Sequence, residues 1–389
     1  MSKIISNQII PHFNLKKALF AFGQIKNIYK NQNIDFSNFF GTKNYLLFNA
    51  ARTALSVIIE NLNLPKNKKI GIPAFICAVV ATPFLEKNYE IEWIDTDQYG
   101  NIDYEDFIKK SKNISLVVIP HIFGQKISLA PFYKYCQKHK IFLVEDCSHF
   151  FDIDMKFCDA KIISFGREKD ISCITGGCLI WKNNFLNFKK KLSTPKKLWT
   201  IRHLCQPLIF ALTLPIWNFG GKIIVWFLKK IKFLPLAVTA EEKKGIENFP
   251  KKLMPYPIQN ILKNQLLERK KILEHKILLA KEWQKILKKI SPKNKIVIPP
   301  NFFRVILYTK NRNQILSQAK KIKFFLQEWE GSPIAPQGVV LKKFGYKKNS
   351  CPQAEFMTKN YITFPTNIRT TKKDVKNFEK FLLTNHHNL

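Results

Sequence analysis

Short apolar β-forming runs alternate with helical segments along this chain, and that alternation confines it to folds built on a parallel sheet. Residues 91–97 (IEWIDTD) read as a strand closed by acids, 116–120 (LVVIP) as a second strand, 129–139 (LAPFYKYCQKH) as a crossover helix, and 141–144 as a third strand. A strand, a helix and a further strand in this order lie side by side and point the same way. Residues 161–165 continue the series, residues 53–62 read as a helix ahead of it, and residues 256–291, 313–328 and about 371–383 read as helices around a strand at 303–309. With 389 residues, 46% of them hydrophobic, the chain is long enough for two domains: a large one over 1–255 and a smaller α+β one over 256–389, which begins with a linking helix.

The carboxyl ends of such strands are where α/β sheets bind ligands. Asp146 and Ser164 both fall at those ends, and Lys169 lies between an apolar strand and the pair Gly176-Gly177. An acid so placed can hold a ring nitrogen protonated, and an amine can bond covalently to an aldehyde. A hydroxyl and two glycines suit a phosphate approached closely by backbone. Pyridoxal 5'-phosphate needs all of these groups. In a chain with 64 Lys and Arg residues, Lys169 also reads as a solvated loop charge, and Asp146 as a turn or cap residue. His149, three positions after Asp146, adds a second polar group. Thr53, at the start of an apolar helix, reads either as part of an anion site or as an ordinary cap.

Six segments in order resemble the DegT/StrS sugar aminotransferases. They are NAARTAL (49–55), GIPAFICAVVATPFLEKNYEIEWIDTD (71–97), IPHIFGQ (119–125), VEDCSHF (144–150), ISFGREK (163–169) with GG at 176–177, and CPQAE (351–355) with ITFPTN (362–367). The resemblance runs from about residue 40 to the end and is weakest over 185–260. It implies the aspartate aminotransferase fold (pyridoxal phosphate fold type I), with a mostly parallel sheet in the large domain and a small C-terminal α+β domain. It also implies that Lys169 carries the cofactor and shuttles protons, that Asp146 pairs with the pyridine nitrogen, and that Ser164, Arg52 and Thr53 surround the phosphate. His149 would stand beside the cofactor and Phe75 near the face of its ring. The implied reaction moves an amino group from an amino acid donor to a nucleotide-linked keto sugar, in cell-surface glycan or related biosynthesis, by a homodimer.

The substrate side departs from the pattern. The Asn-Tyr-Arg stretch that usually precedes the small domain is missing, and residues 249–266 keep Tyr256 and Asn260 without the arginine. Phe150 and Phe151 follow His149 where small residues are expected, and Ala51 replaces a glycine. Retention of Lys169 argues against the family's dehydratase branch, in which histidine stands at this position. A lipid-linked or non-sugar acceptor, or a non-catalytic scaffold that keeps the fold, are the alternatives.

The formal net charge of +36 is spread along the chain, which favours anionic partners without naming one. No nucleic-acid module or basic stripe with interleaved aromatics occurs, so no nucleic-acid partner is expected. The eight cysteines have no metal-ligand spacing, and together with the lack of a signal-peptide pattern they point to a reduced, cytoplasmic protein with no metal. The least family-like feature is an apolar insertion over about 198–238. Its uncharged run 204–221 is marginal in length for a bilayer and contains Pro207, Pro215 and Gly220-Gly221, so it is expected to break rather than span. Residues 222–232 pack apolar side chains between lysines, as an interfacial helix does. Two readings stay open: residues 204–234 lie on the inner face of a membrane, or they are buried in a dimer.

Overall fold

The computed structural model describes residues 4–6, 9, 11–182, 192–329 and 331–385. Its centre is a seven-stranded sheet. The strands in chain order are β1 (Tyr45–Phe48), β2 (Lys69–Pro73), β3 (Ile91–Ile94), β4 (Ile114–Pro120), β5 (Phe142–Asp146), β6 (Ala160–Ser164) and β7 (Gly177–Trp181). They lie side by side as β1-β7-β6-β5-β4-β2-β3, and only β7 runs against the others. Every residue of β4 is buried, as a central strand covered on both faces requires.

Register brings the carboxyl ends together. Pro120 faces Asp146, Asp146 faces Ile162, Ser164 faces Gly177, and Gly177 faces Phe48. The helix Ala51–Asn61 starts directly beyond β1, so its amino end stands at the same edge. Gly177 makes this possible: a Cβ there would come within 2.4 Å of the Ala51 backbone.

A second, antiparallel sheet of Lys295–Val297, Arg304–Tyr308 and Tyr361–Pro365 packs with the helices Arg269–Ile290 and Lys372–Asn385 around Trp283, Phe364 and Phe378. Residue 255 is Pro255, the cap of the Tyr256–Leu267 helix, while Ile5–Ser6 pairs with Phe324–Phe325 and ties the start of the chain to its C-terminal part.

Three elements differ from expectation. The segment 256–291 is two helices, Tyr256–Leu267 and Arg269–Ile290, parted at Glu268. The helix expected over 313–328 is Arg312–Lys321, because Lys323 turns to a φ of 62° and Phe324–Phe325 leaves to pair as a strand. Pro207 does not break the insertion: one helix runs Lys197–Thr213 straight through it. The turn comes after Pro215, at Gly220 with φ 114°, and the chain then forms the helix Gly221–Lys230. A Cβ on Gly221 would sit 2.2 Å from the Thr213 carbonyl oxygen, so glycine closes this hairpin. Among the described residues no helix is long and apolar enough to cross a membrane.

Candidate active site

A cavity of about 680 Å³ opens at the carboxyl edge of the sheet, and Asp146, Lys169, His149 and Ser164 all line it. Asp146 is the last residue of β5, and Glu145, the residue before it, points to the opposite face as strand alternation dictates. The Asp146 carboxylate is 4% exposed and accepts the Ser148 N–H at 2.8 Å. Among the described residues no cation forms an ion pair with it. Burial raises its pKa, with Ser148 and Lys169 only partly opposing that effect. A buried carboxylate short of a positive partner fits a protonated pyridine nitrogen.

Lys169 lies in the loop between β6 and β7. The loop is closed by the Phe165 N–H donating to the Gly176 carbonyl (2.8 Å) and the Cys173 N–H donating to Phe165 (3.0 Å). Ile174 within it has a φ of 82°, a conformation that a β-branched residue adopts only when its surroundings impose it. Asp170, directly after Lys169, anchors the loop to the Arg269–Ile290 helix by a buried ion pair with Lys276 and takes the Phe151 N–H at 3.1 Å. Burial pushes Asp170 up, but Lys276 prevails and holds it below the usual range.

Lys169 Nζ lies 3.1 Å from His149 Nε2. His149 Nδ1 accepts the Phe123 N–H at 3.2 Å, so a neutral imidazole carries its proton on Nε2 and can bond Lys169 only if the lysine is a free amine. The electrostatics agree. Burial lowers the Lys169 pKa, and burial, Lys169 and Arg304 lower that of His149 well below its ordinary value. A neutral amine is what bonding to an aldehyde requires.

The Ala51–Asn61 helix has no side-chain cap and no acid in its first turn, and Ala51 and Arg52 line the cavity. With the Ser164 hydroxyl opposite, this uncapped end fits a phosphate. The Arg52 guanidinium is engaged elsewhere, paired with the buried carboxylate of Glu242 and stacked 4.7 Å over Phe249. Thr53 stands outside the cavity wall: it is 1% exposed and its hydroxyl donates to Asn49 Oδ1 at 3.0 Å. Phe75 also stands outside it, fully buried against Trp329 with ring centroids 4.5 Å apart. Cys77 and Trp329 reach the cavity instead. Among these side chains the residues present fit pyridoxal phosphate through Lys169, Asp146, Ser164 and the start of the Ala51–Asn61 helix.

Arg304 is a charged cavity residue that the sequence did not mark. It is 2% exposed, donates to the Glu168 carbonyl at 3.3 Å, and stacks 4.5 Å over Phe303. Burial lowers its pKa to about 10, with Glu168 acting in the other direction. It lies 135 positions from Lys169 by number, on the second sheet, so no local signal marked it.

Behind Asp146, the His121, Glu145 and Cys147 ligand atoms lie within 4.8 Å of one another. Positive charge is already supplied there: Lys161 Nζ is 3.0 Å from one Glu145 oxygen, and His121 Nε2 is 2.7 Å from the other. The Cys147 thiol, its pKa raised by burial, donates to the same carboxylate at 3.4 Å. The trio is a brace under the sheet edge.

The fold and this lysine–carboxylate cavity define a type I pyridoxal phosphate fold. Residues 26–192 match the model of the DegT/DnrJ/EryC1/StrS aminotransferase family. It is 27% identical over 165 residues to the UDP-4-amino-4,6-dideoxy-N-acetyl-beta-L-altrosamine transaminase of Helicobacter pylori (strain ATCC 700392 / 26695). That match covers 40% of this chain and spans 44% of the relative, less than half its length. Helicobacter pylori PseC, an aminotransferase involved in the biosynthesis of pseudoaminic acid, superposes with a TM-score of 0.70 at 17% identity over 98% of this chain and 99% of its own. DesI, solved in the presence of its TDP-sugar product, gives 0.70 at 14% identity over 98% and 92%. The sugar aminotransferase Spr1654 of Streptococcus pneumoniae, in its PLP form, gives 0.69 at 13% identity over 97% of each chain. At these identities the structures establish the fold.

Proposed function

We propose that this chain is a pyridoxal phosphate-dependent aminotransferase that moves an amino group from an amino acid donor to a nucleotide-linked keto sugar for cell-surface glycan synthesis. The observation that carries the proposal is the convergence on one cavity of Lys169, 3.1 Å from His149 and lowered in pKa by burial, and the buried Asp146 carboxylate, which pairs with no cation among the described residues. When bound, pyridoxal phosphate supplies an aldehyde that captures amines and a ring that withdraws electrons from the carbon bearing the nitrogen. Asp146 would hold positive charge at the ring nitrogen. Lys169 Nζ would take a proton and return it, and His149 Nε2–H orients that amine's lone pair. Ser164 and the first N–H groups of the Ala51–Asn61 helix would hold the phosphate. Arg304 would receive the donor's carboxylate, as a buried guanidinium with donors to spare suits a planar anion.

A transaminase named for a UDP-linked amino sugar and DesI, solved with its TDP-sugar product, support a nucleotide-linked acceptor. A lipid-linked acceptor is the second reading, and it is favoured by one feature: the cavity wall runs out to Lys229 and Leu236, beside an exposed apolar helix. The eight free cysteines suit a reducing, cytoplasmic setting, and a homodimer is the assembly implied by the family. The test is spectroscopic. Protein purified with excess cofactor should show a visible absorption band that is lost in Lys169→Ala and bleached by an amino acid donor. Failure of the intact protein to take up any chromophore would refute the enzyme reading and leave a scaffold.

A further inference from the structure

The geometry points to a docking face for an anionic phospholipid surface on the Gly221–Lys230 helix and its flanks. Gly221 and Val225, one turn apart, are the buried residues of this helix. The opposite side carries Ile223 (69% exposed), Ile224 (43%), Trp226 (58%) and Phe227 (53%), with Phe219 (73%) just before it. Large apolar side chains concentrated on one helix side in this way mark an interaction surface. Ten residues of helix extend only about 15 Å, so the element lies along a bilayer rather than across it.

Charge decides between the possible occupants. Lys222, Lys229, Lys230 and Lys232 are exposed around the apolar side, and Lys230 Nζ lies 5.1 Å from the Trp226 ring centre. No Asp or Glu occurs in the sequence between Asp170 and Glu241. A second copy packed through this face about a two-fold axis would set lysines against lysines, with no carboxylate from the segment to offset them. A surface of anionic headgroups over acyl chains answers both features, since the lysines meet phosphates while the tryptophan and phenylalanines enter the acyl boundary. Lys229 on the helix and Leu236 after it also line the catalytic cavity, so docking would place the cavity mouth at the lipid surface.

This inference stands apart from the reaction assigned to the cavity. The intact protein, cofactor added, should sediment with vesicles of phosphatidylcholine containing one-third phosphatidylglycerol and far less with phosphatidylcholine alone. Adding salt should weaken the binding. The triple variant Ile223→Ser, Trp226→Ser, Phe227→Ser should bind about a thousandfold more weakly, each lost side chain contributing about tenfold. Lys222→Gln with Lys230→Gln, which leaves the apolar side intact, should weaken binding about fivefold per lysine. Light scattering should give both variants the same oligomeric state as the parent. Absence of binding to the anionic vesicles would overturn the inference. So would conversion of a dimeric parent into a monomer by the triple variant, which would identify the face as an interface between copies.

Discussion

Replacing Lys276 with Met should destabilise the loop that carries Lys169, and the structure sets the size of the effect. Lys276 and Asp170 are 4% and 7% exposed and pair directly, and Lys276 also donates to the Asp170 carbonyl at 3.0 Å. Methionine fills the space of the lysine stem but leaves a buried carboxylate with no cation, which costs about 3–5 kcal/mol. An unfolding entropy of about 2.1 cal/mol/K per residue over 389 residues gives about 0.8 kcal/mol/K, so the melting temperature should fall by about 4–6 °C. The sign with pH follows from linkage. Asp170 is held below its ordinary range, so its contribution in the parent is present above about pH 3.9 and lost as pH falls through the folded value. In the variant the carboxylate loses the cation that holds it down, so the deficit should be full at pH 8 and shrink toward pH 5. His12, pushed down to about 3 by burial and by Lys276, is then freer to protonate beside Asp170 and adds to the narrowing. Thermal melts of parent, Lys276→Met and the double variant Lys276→Met/Asp170→Asn, at fixed cofactor concentration, test this. The double variant should regain most of the loss, because both charges are gone and the Phe151 N–H still has an acceptor. A single variant that melts within about 1 °C of the parent at pH 8 would refute the role given to this pair.

Two further outcomes are expected. Arg304→Gln should raise KM for the amino acid donor by about thirtyfold or more while visible cofactor absorption is kept, since truncating a buried charge partner costs about 2–5 kcal/mol; steady-state kinetics with varied donor would show it, and an unchanged KM would remove Arg304 from donor binding. Because burial lowers Lys169, the rate at which cofactor-free protein captures pyridoxal phosphate should rise with pH to a plateau whose midpoint lies below the ordinary lysine value of about 10.4; a stopped-flow pH series with a midpoint at or above that value would contradict the free-amine state.

The parts of the site carried by consecutive residues were legible in the sequence because local rules fix them. An apolar run closed by Asp146 ends a strand at that acid, the run ending at Ser164 does the same one strand over, and parallel neighbours put both ends on one edge. Lys169 follows on the loop that β7 must close. Side-chain direction was not legible in the same way. Thr53 and Phe75 lie within a turn or two of the cavity in sequence, yet packing turns the first onto Asn49 and the second onto Trp329, and hands their places to the Ala51 and Arg52 backbone and to Cys77. Pro207 reads as a helix breaker, but the helix continues to Thr213 packed against its neighbours, because tertiary burial outweighs one lost hydrogen bond.

The sequence by itself determined the alternation of strand and helix and the edge where the acid and the amine meet. Only the tertiary structure decided which charges are paired. Asp170 finds Lys276 and Glu145 finds Lys161 and His121, so those carboxylates brace the fold, while Asp146, one residue from Glu145, pairs with no cation among the described residues and faces the cavity. Arg304 enters the same cavity from the other sheet. The physical reason is range. Strand ends and helix starts depend on neighbours a few residues away, whereas the state of a buried charge depends on whichever side chains the fold brings within a few ångströms, and those come from anywhere along the chain.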